Sequence, residues 1–264
     1  MTDILITGAH SYIGTAFADF MSQWPQDYRV TMLDLHGEAW QQVDFSAYDT
    51  VLHVAGIAHR KETAENAHLY YEVNRDLAAK VAQKAKADGV KQFVFLSSMS
   101  VYGLVEGTIT AYTPPIPRTH YGKSKLQAEN LLAPLNDKDF TVSILRPPMV
   151  YGDGCKGNYQ SLIKLAKVLP VCPDYQNQRS MVSIDTLCTY VKAVIDRPAG
   201  GIYFPQENDY ICTCQMMADI AAHSGKKLPL TQLLNPAVSL LKLTRKGKKA
   251  FGDLIYRDLD YLPF

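Results

Sequence analysis

Asp3-Ile4-Leu5-Ile6-Thr7 reads as a short apolar strand, and it runs straight into Thr7-Gly8-Ala9-His10-Ser11-Tyr12-Ile13-Gly14. A helix follows, expected over Thr15 to Trp24, with Phe17, Phe20 and Met21 on one side. A strand, a glycine turn and a helix in this order constrain the fold more than any other stretch. Gly8 permits the tight turn, and Gly14 lets the helix pack closely on the sheet. Between them, free backbone N–H groups and the helix dipole face an anion. The usual dinucleotide fingerprint has a glycine where Ser11 stands. A second feature falls where that fingerprint needs it. Asp34 ends the next predicted strand, Tyr28 to Leu33, twenty residues after Gly14. A carboxylate there accepts hydrogen bonds from the adenosine ribose hydroxyls and repels a 2′-phosphate. Leu35 and His36 follow, with no Arg or Lys, and this favours NAD over NADP. Asp44, after the next strand, is a candidate for the adenine amino group; a solvated turn carboxylate is the alternative.

The same rhythm continues. Trp40 to Asp44 reads as a short third strand and Thr50 to Ala55 as a fourth. Ala64 to Asp88 reads as one long helix, with Leu69, Val73, Leu77 and Val81 spaced four apart and Gly89 as its stop. Lys91 to Ser97 is the fifth strand, Tyr121 to Ala133 a helix, and Phe140 to Arg146 the sixth strand. Ile202-Tyr203-Phe204 returns to the sheet edge as the seventh. Apolar strands separated by helices predict a doubly wound, parallel (Rossmann) α/β sheet buried on both faces. After Arg146 the composition changes. Pro147 and Pro148 break the chain, and Gly152, Gly154 and Gly157 follow within ten residues. Helices are expected at Tyr159 to Val168 and Thr186 to Asp196. The division expected is a nucleotide-binding part over 1–151, rejoined by 178–204, and a smaller C-terminal substrate-binding cap within 152–264, interleaved with it.

Composition narrows the classes. The 264 residues carry a formal net charge of +1, so no overall field draws the chain to nucleic acid or an anionic membrane. No run of eighteen apolar residues is present, so no membrane span is expected. The N-terminus has no basic, then apolar, cleavable segment. The five cysteines, at 155, 172, 188, 212 and 214, form no CxxC pair. A reduced, cytoplasmic protein is the simplest reading. His10, His53 and His59 lie near the expected crevice, yet their spacing makes no metal site.

Tyr121-Gly-Lys-Ser-Lys125 puts a phenol and an ammonium four residues apart, on one face of a helix. A free tyrosine has a pKa near 10 and is a poor base at neutral pH. A nearby cation favours the phenolate, and Lys125 and an oxidised nicotinamide ring are the expected sources of that field. Such a tyrosine takes a proton from a hydroxyl while hydride leaves the same carbon. Ser97-Ser98-Met-Ser100 follows the fifth strand, where a serine points into the ligand crevice of an open sheet.

TGAHSYIG at 7–14, HVAGIAH at 53–59, Asn74 in YYEVNRD, SSMSVYG at 97–103, YGKSK at 121–125 and LRPPMVYG at 145–152 occur in order. Together they resemble the extended short-chain dehydrogenase/reductases, in the branch of nucleotide-sugar epimerases and dehydratases. The resemblance implies Tyr121 as catalytic base and acid, Lys125 as its partner and a holder of the nicotinamide ribose, and Ser98 as the serine on the substrate oxygen, with Ser100 beside it. It implies cofactor contacts at Gly8, Ser11, Tyr12, Ile13, Gly14, Asp34, Asp44, Ala55 and Asn74. It also implies that Asn158 and Arg179 bind a nucleoside diphosphate; Arg suits a diphosphate through its fork geometry.

The function so implied is NAD-dependent epimerisation of a nucleoside-diphosphate sugar, a UDP-sugar foremost, by hydride transfer at C4. A 4-keto reductase uses the same residues. An NAD-sensing module has no need of Ser98, Tyr121 and Lys125 together, and an apolar alcohol gives Arg179 nothing to pair with. Relatives that eliminate water carry an acidic pair where Met99 and Ser100 stand. The long helix after the fourth strand and the helix of Tyr121 correspond to a four-helix homodimer contact in relatives. The RKGKK cluster near the C-terminus reads as a solvated face, with a peripheral membrane contact as the alternative.

Overall fold

The computed structural model describes residues 1–58 and 60–259; His59 and the last five residues of the tail lie outside them. Strand β1 (Thr2–Thr7) leads through the glycine turn into α1 (Tyr12–Met21) and then β2 (Tyr28–Leu33). Helix α1 starts three residues earlier than expected because Ser11 caps it, its Oγ accepting the Gly14 N–H at 3.0 Å. The stretch expected as a third strand holds a 3-10 turn instead, Ala39–Gln42. Both sides of β1 are already taken, by β2 and by β3 (Thr50–His53), so Trp40 turns inward and joins the core with Phe45. The sheet therefore has six strands, where seven were expected.

Next come α2 (Ala67–Tyr71), a π-helical turn (Glu72–Leu77) and α3 (Ala78–Ala87), leading to β4 (Gln92–Leu96). The 64–88 stretch is therefore not one regular helix. The wider turn brings Tyr70, Asn74, Ala78 and Val81 to the buried side and leaves Leu69, Val73 and Leu77 half-buried. Single π turns of this kind are found inside helices, often at functional sites.

β5 (Gly107–Ile109), α4 (His120–Leu132), β6 (Thr141–Leu145), β7 (Met149–Tyr151), α5 (Asn158–Val168), β8 (Cys172–Pro173), β9 (Met181–Ser183), α6 (Ile184–Asp196) and β10 (Gly201–Tyr203) follow. The described chain ends through α7 (Thr213–His223), β11 (Leu230–Thr231), α8 (Asn235–Leu241), α9 (Arg245–Phe251) and β12 (Leu254–Tyr256).

The six strands run parallel in the order β10-β6-β4-β3-β1-β2. From β1 the chain moves outward to β2 and then returns to β3 on the other side. That reversal opens a crevice at the carboxyl ends of β1 and β3, the usual ligand position in such sheets. Along β1, Leu5 points to a core shared with α3 and α4, and Ile4 and Ile6 to one shared with α1 and α6. A separate cluster joins α5 and α7 through Ala166, Met181, Cys214, Met217 and Ile220. Pairs β7–β9, β8–β11 and β5–β12 lie outside the main sheet. Tyr256 of β12 donates its hydroxyl to the Arg146 carbonyl at 2.8 Å, which ties the end of the described chain to the end of β6. All five cysteines are free thiols.

Candidate active site

The turn after β1 is held by close backbone approach. Gly8 has φ +111°, and a β-carbon there would lie 2.8 Å from the Ala55 nitrogen just beyond β3. An L side chain is excluded on both counts. The Gly8 N–H donates to the Leu33 carbonyl at 2.9 Å and so ties the turn to the end of β2 beside Asp34. Because Ser11 spends its hydroxyl on the cap, a side chain is accommodated where the fingerprint has glycine. Tyr12 and Ile13 place their N–H groups in the first turn of α1, which lacks intrahelical partners. The Tyr12 ring itself reaches the Gly152–Gly154 loop, where its buried hydroxyl has no hydrogen-bond partner among the described residues. Burial pushes that phenol up to about 12.

The Asp34 carboxylate accepts the His36 N–H at 3.1 Å and meets its ring Nδ1 at 2.6 Å; His10 Nε2 stands 3.9 Å away. The bond from His36 holds the carboxyl below the usual range. Asp44 is exposed and accepts the Ser46 N–H at 2.8 Å in a local turn. A turn closed to β-carbons, a helix with open first-turn N–H groups and a carboxylate ending β2 together fit a dinucleotide.

The three serines after β4 divide their work. Ser97 is buried and donates to Glu129, which is itself paired with Arg146 at 2.5 Å. Ser98 caps a short 3-10 turn, its hydroxyl accepting the Ser100 N–H at 3.1 Å, and it lies close enough to Tyr121 to act on the phenol. Ser100 is exposed and accepts from the Ser98 hydroxyl at 3.1 Å. Gly122 lets α4 approach this loop, since a β-carbon there would sit 2.6 Å from the Ser100 carbonyl oxygen.

Burial raises the Tyr121 phenol above its ordinary value, and Ser98 opposes the rise. The Lys125 ammonium is engaged by the backbone below Tyr121's helix. The lysine lies on the same helix, but its ammonium extends to the end of β4, donating to the Leu96 carbonyl at 2.8 Å and lying 4.6 Å from the Phe95 ring centre. Burial brings it down to about 8. His53 is a core residue: its Nδ1 meets the Thr7 hydroxyl at 2.8 Å, and burial lowers it to about 3. No cluster able to hold a metal ion occurs among the described residues.

Asn74 is fully buried, and its amide is spent inside the protein. It accepts the Ile57 N–H at 2.7 Å and donates to the Ile57 carbonyl at 3.0 Å and the Ser124 hydroxyl at 3.1 Å. Asn74 thus braces the loop after β3 against α4. Glu62 escaped the sequence reading. Its carboxylate accepts the N–H groups of His120 and Tyr121, at 3.0 and 2.9 Å, at the positive end of α4. No motif marks it, because the contact joins residues nearly sixty apart.

Asn158 and Arg179 lie outside the main sheet. Asn158 is exposed at the first turn of α5. Arg179 bridges to Ile211 and Leu254 through its backbone, and its Nη1 donates to the Gly252 carbonyl at 2.8 Å. Burial pulls its guanidinium below the ordinary value. Lys249 of the RKGKK cluster is exposed, in keeping with the solvated face read from sequence, and is near enough to feel the charge of Arg179. Desolvation first, then the charges of Arg179 and Arg245, lower its pKa. Lys248 of the same cluster is paired with Glu106 at 2.5 Å.

A model of the NAD dependent epimerase/dehydratase family matches residues 4–203. The chain is 32% identical to a UDP-glucose 4-epimerase of Vibrio cholerae, over 88% of this chain and 78% of that protein. It is 28% identical to an N-acetyl-alpha-D-glucosaminyl-diphospho-ditrans,octacis-undecaprenol 4-epimerase of Escherichia coli O157:H7, over 89% and 76%. In structure it resembles a UDP-glucuronic acid 4-epimerase of Bacillus cereus solved with NAD, with a TM-score of 0.71 over 94% of this chain and 97% of that one, at 20% identity. The glycine turn, the Ser98–Tyr121 pair and a family match over three quarters of the sequence lead to one assignment: the chain belongs to the NAD dependent epimerase/dehydratase family.

Proposed function

We propose that the protein is an NAD-dependent 4-epimerase of nucleoside-diphosphate sugars, with UDP-sugars as the first candidates. The observation that carries this reading is the close approach of the first turn of α4, which holds Tyr121, to the Ser98–Ser100 loop at the carboxyl end of β4. The relatives' common reaction at sugar C4 supports it. Bound NAD supplies a reversible hydride acceptor. Tyr121 accepts the C4 hydroxyl proton as hydride leaves that carbon, and Ser98 holds the oxygen. Tyr121 would give the proton back to the sugar oxygen as the C4 centre is restored. Lys125, Ala55 and the turn over Gly8–Gly14 hold the cofactor, with Asp34 on the adenosine ribose. Ser100 stands beside the substrate oxygen. Asn158 and Arg179, with Lys249, take the diphosphate.

The substrate-binding part comprises 152–264, with 178–204 returned to the sheet. A homodimer through α2, α3 and α4 is part of this proposal, and Leu131 of α4 is 48% exposed on that side. The test is incubation of the protein and NAD with UDP-, GDP- and dTDP-sugars, with the products read by NMR. Inversion at C4 of a UDP-sugar without net NADH consumption is expected. Turnover only with added reductant and a 4-keto sugar points to a reductase and overturns the epimerase reading.

A further inference from the structure

The net charge of +1 conceals a strong asymmetry. Between Asp219 and Asp253 the chain carries seven Lys and Arg and no Asp or Glu; the remainder holds 20 basic residues against 26 acidic. The same segment exposes its leucines. Leu233 is 89% exposed, Leu240 69%, Leu241 50% and Leu243 78%. Val238 of α8 faces inward and is buried, while Ala237, Leu240 and Leu241, three and four residues apart, face out. Single exposed leucines are ordinary on a protein surface. Four within eleven residues form an apolar patch. Arg245 and Lys246, both exposed, follow directly at the start of α9. Lys242 and Lys248 turn back into the protein, to the Tyr175 hydroxyl at 3.0 Å and to Glu106.

We infer that this face docks on an anionic phospholipid bilayer, with the outward leucines at the headgroup–acyl boundary and Arg245 and Lys246 against lipid phosphates. Charge selects this occupant. A second copy of the chain meeting the same face would bring two acid-free basic segments together and repel. A lipid surface of opposite charge offers both an apolar boundary and phosphates. Gly252 directly follows α9 and accepts from Arg179, so docking also sets Arg179 close to the bilayer. The inference does not depend on the reaction proposed above.

The experiment is sedimentation of the full-length protein with vesicles of phosphatidylcholine alone, and of equal parts phosphatidylcholine and phosphatidylglycerol. At least about tenfold stronger partitioning to the anionic vesicles is expected, weakening as salt rises. Leu240→Ser with Leu243→Ser, and separately Lys246→Glu, should each lower it by about tenfold. Both variants should melt and turn over soluble substrate like wild type. If the double leucine variant does not fold, Lys246→Glu and the salt series decide alone. Equal partitioning to the two vesicle types, no partitioning, or variants that bind like wild type would overturn the inference. So would a dimer that the leucine variant abolishes while vesicles are ignored.

Discussion

Asn74 and Ser124 are hydrogen-bonded at 3.1 Å across fifty residues of sequence, and this bond fixes the register between the π turn and the helix that carries Tyr121 and Lys125. The same amide closes on both backbone groups of Ile57. Asn74→Leu would leave the Ile57 N–H and carbonyl without their partner. At about 1–3 kcal/mol for each buried orphan, stability should fall by at least 2 kcal/mol, or about 5 °C in Tm. The fall in kcat should exceed what the loss of folded protein explains. Thermal melts with kinetics per folded molecule test this. Unchanged values for both would remove Asn74 as a brace.

Tyr121→Phe keeps the ring and removes the ionisable hydroxyl. We expect kcat to fall about 10²-fold or more with NAD affinity nearly intact. Ser98→Ala removes the neighbour that opposes the rise, so the Tyr121 pKa should rise further in an absorbance titration against the Tyr121→Phe background. A titration that does not move would show that the Ser98 hydroxyl has no hold on the phenol.

Asp34 should make NAD bind far better than NADP, since a carboxylate repels a 2′-phosphate at short range. Asp34→Ala should narrow the gap measured by calorimetry. Equal affinity in the wild type would refute the role assigned to this carboxylate.

Lys125 titrates near 8 in the fold, against an ordinary 10.5. Between those values the unfolded chain binds a proton that the fold does not, so stability should rise with pH across that window. Below pH 8 both states are protonated and the slope vanishes. The advantage of wild type over Lys125→Met should therefore grow from pH 8 to 10.5, by about 3 kcal/mol at most. Denaturant melts at several pH values measure it, and parallel curves would count against a neutral buried lysine.

Arg179→Ala should raise KM for the sugar nucleotide about ten- to a hundredfold, since a charge-assisted phosphate contact is worth about 1.5–3 kcal/mol. NAD affinity should be untouched, because the turn over Gly8–Gly14 is a separate site. Lys249→Ala should act in the same direction. UDP that competes equally well in wild type and both variants would remove the pair from the diphosphate site.

The β1 strand, the Gly8–Gly14 turn and Asp34 were legible because they are local: one strand, one turn and the next strand end lie within the first thirty-four residues. The apolar runs of β3, β4 and β6 were equally plain, since a strand buried on both faces cannot hide its composition. Tyr121 and Lys125 were singled out by their spacing and their place after the fifth strand, and Ser98 by the family resemblance. Their mutual arrangement was not available in that way. Whether Lys125 meets Tyr121 or the Leu96 carbonyl depends on where the end of β4 lies beneath α4, which is set by packing. The same holds for Asn74: the even spacing of Leu69, Val73, Leu77 and Val81 around it suggested a regular helix, and only the fold shows its amide claimed by the Ile57 loop. Trp40 looked like a strand residue until β2 and β3 occupied both sides of β1. Glu62 and the outward face of α8 became visible only in three dimensions, because charge and exposure belong to what lies beside a residue in space, and sequence records only what precedes and follows it.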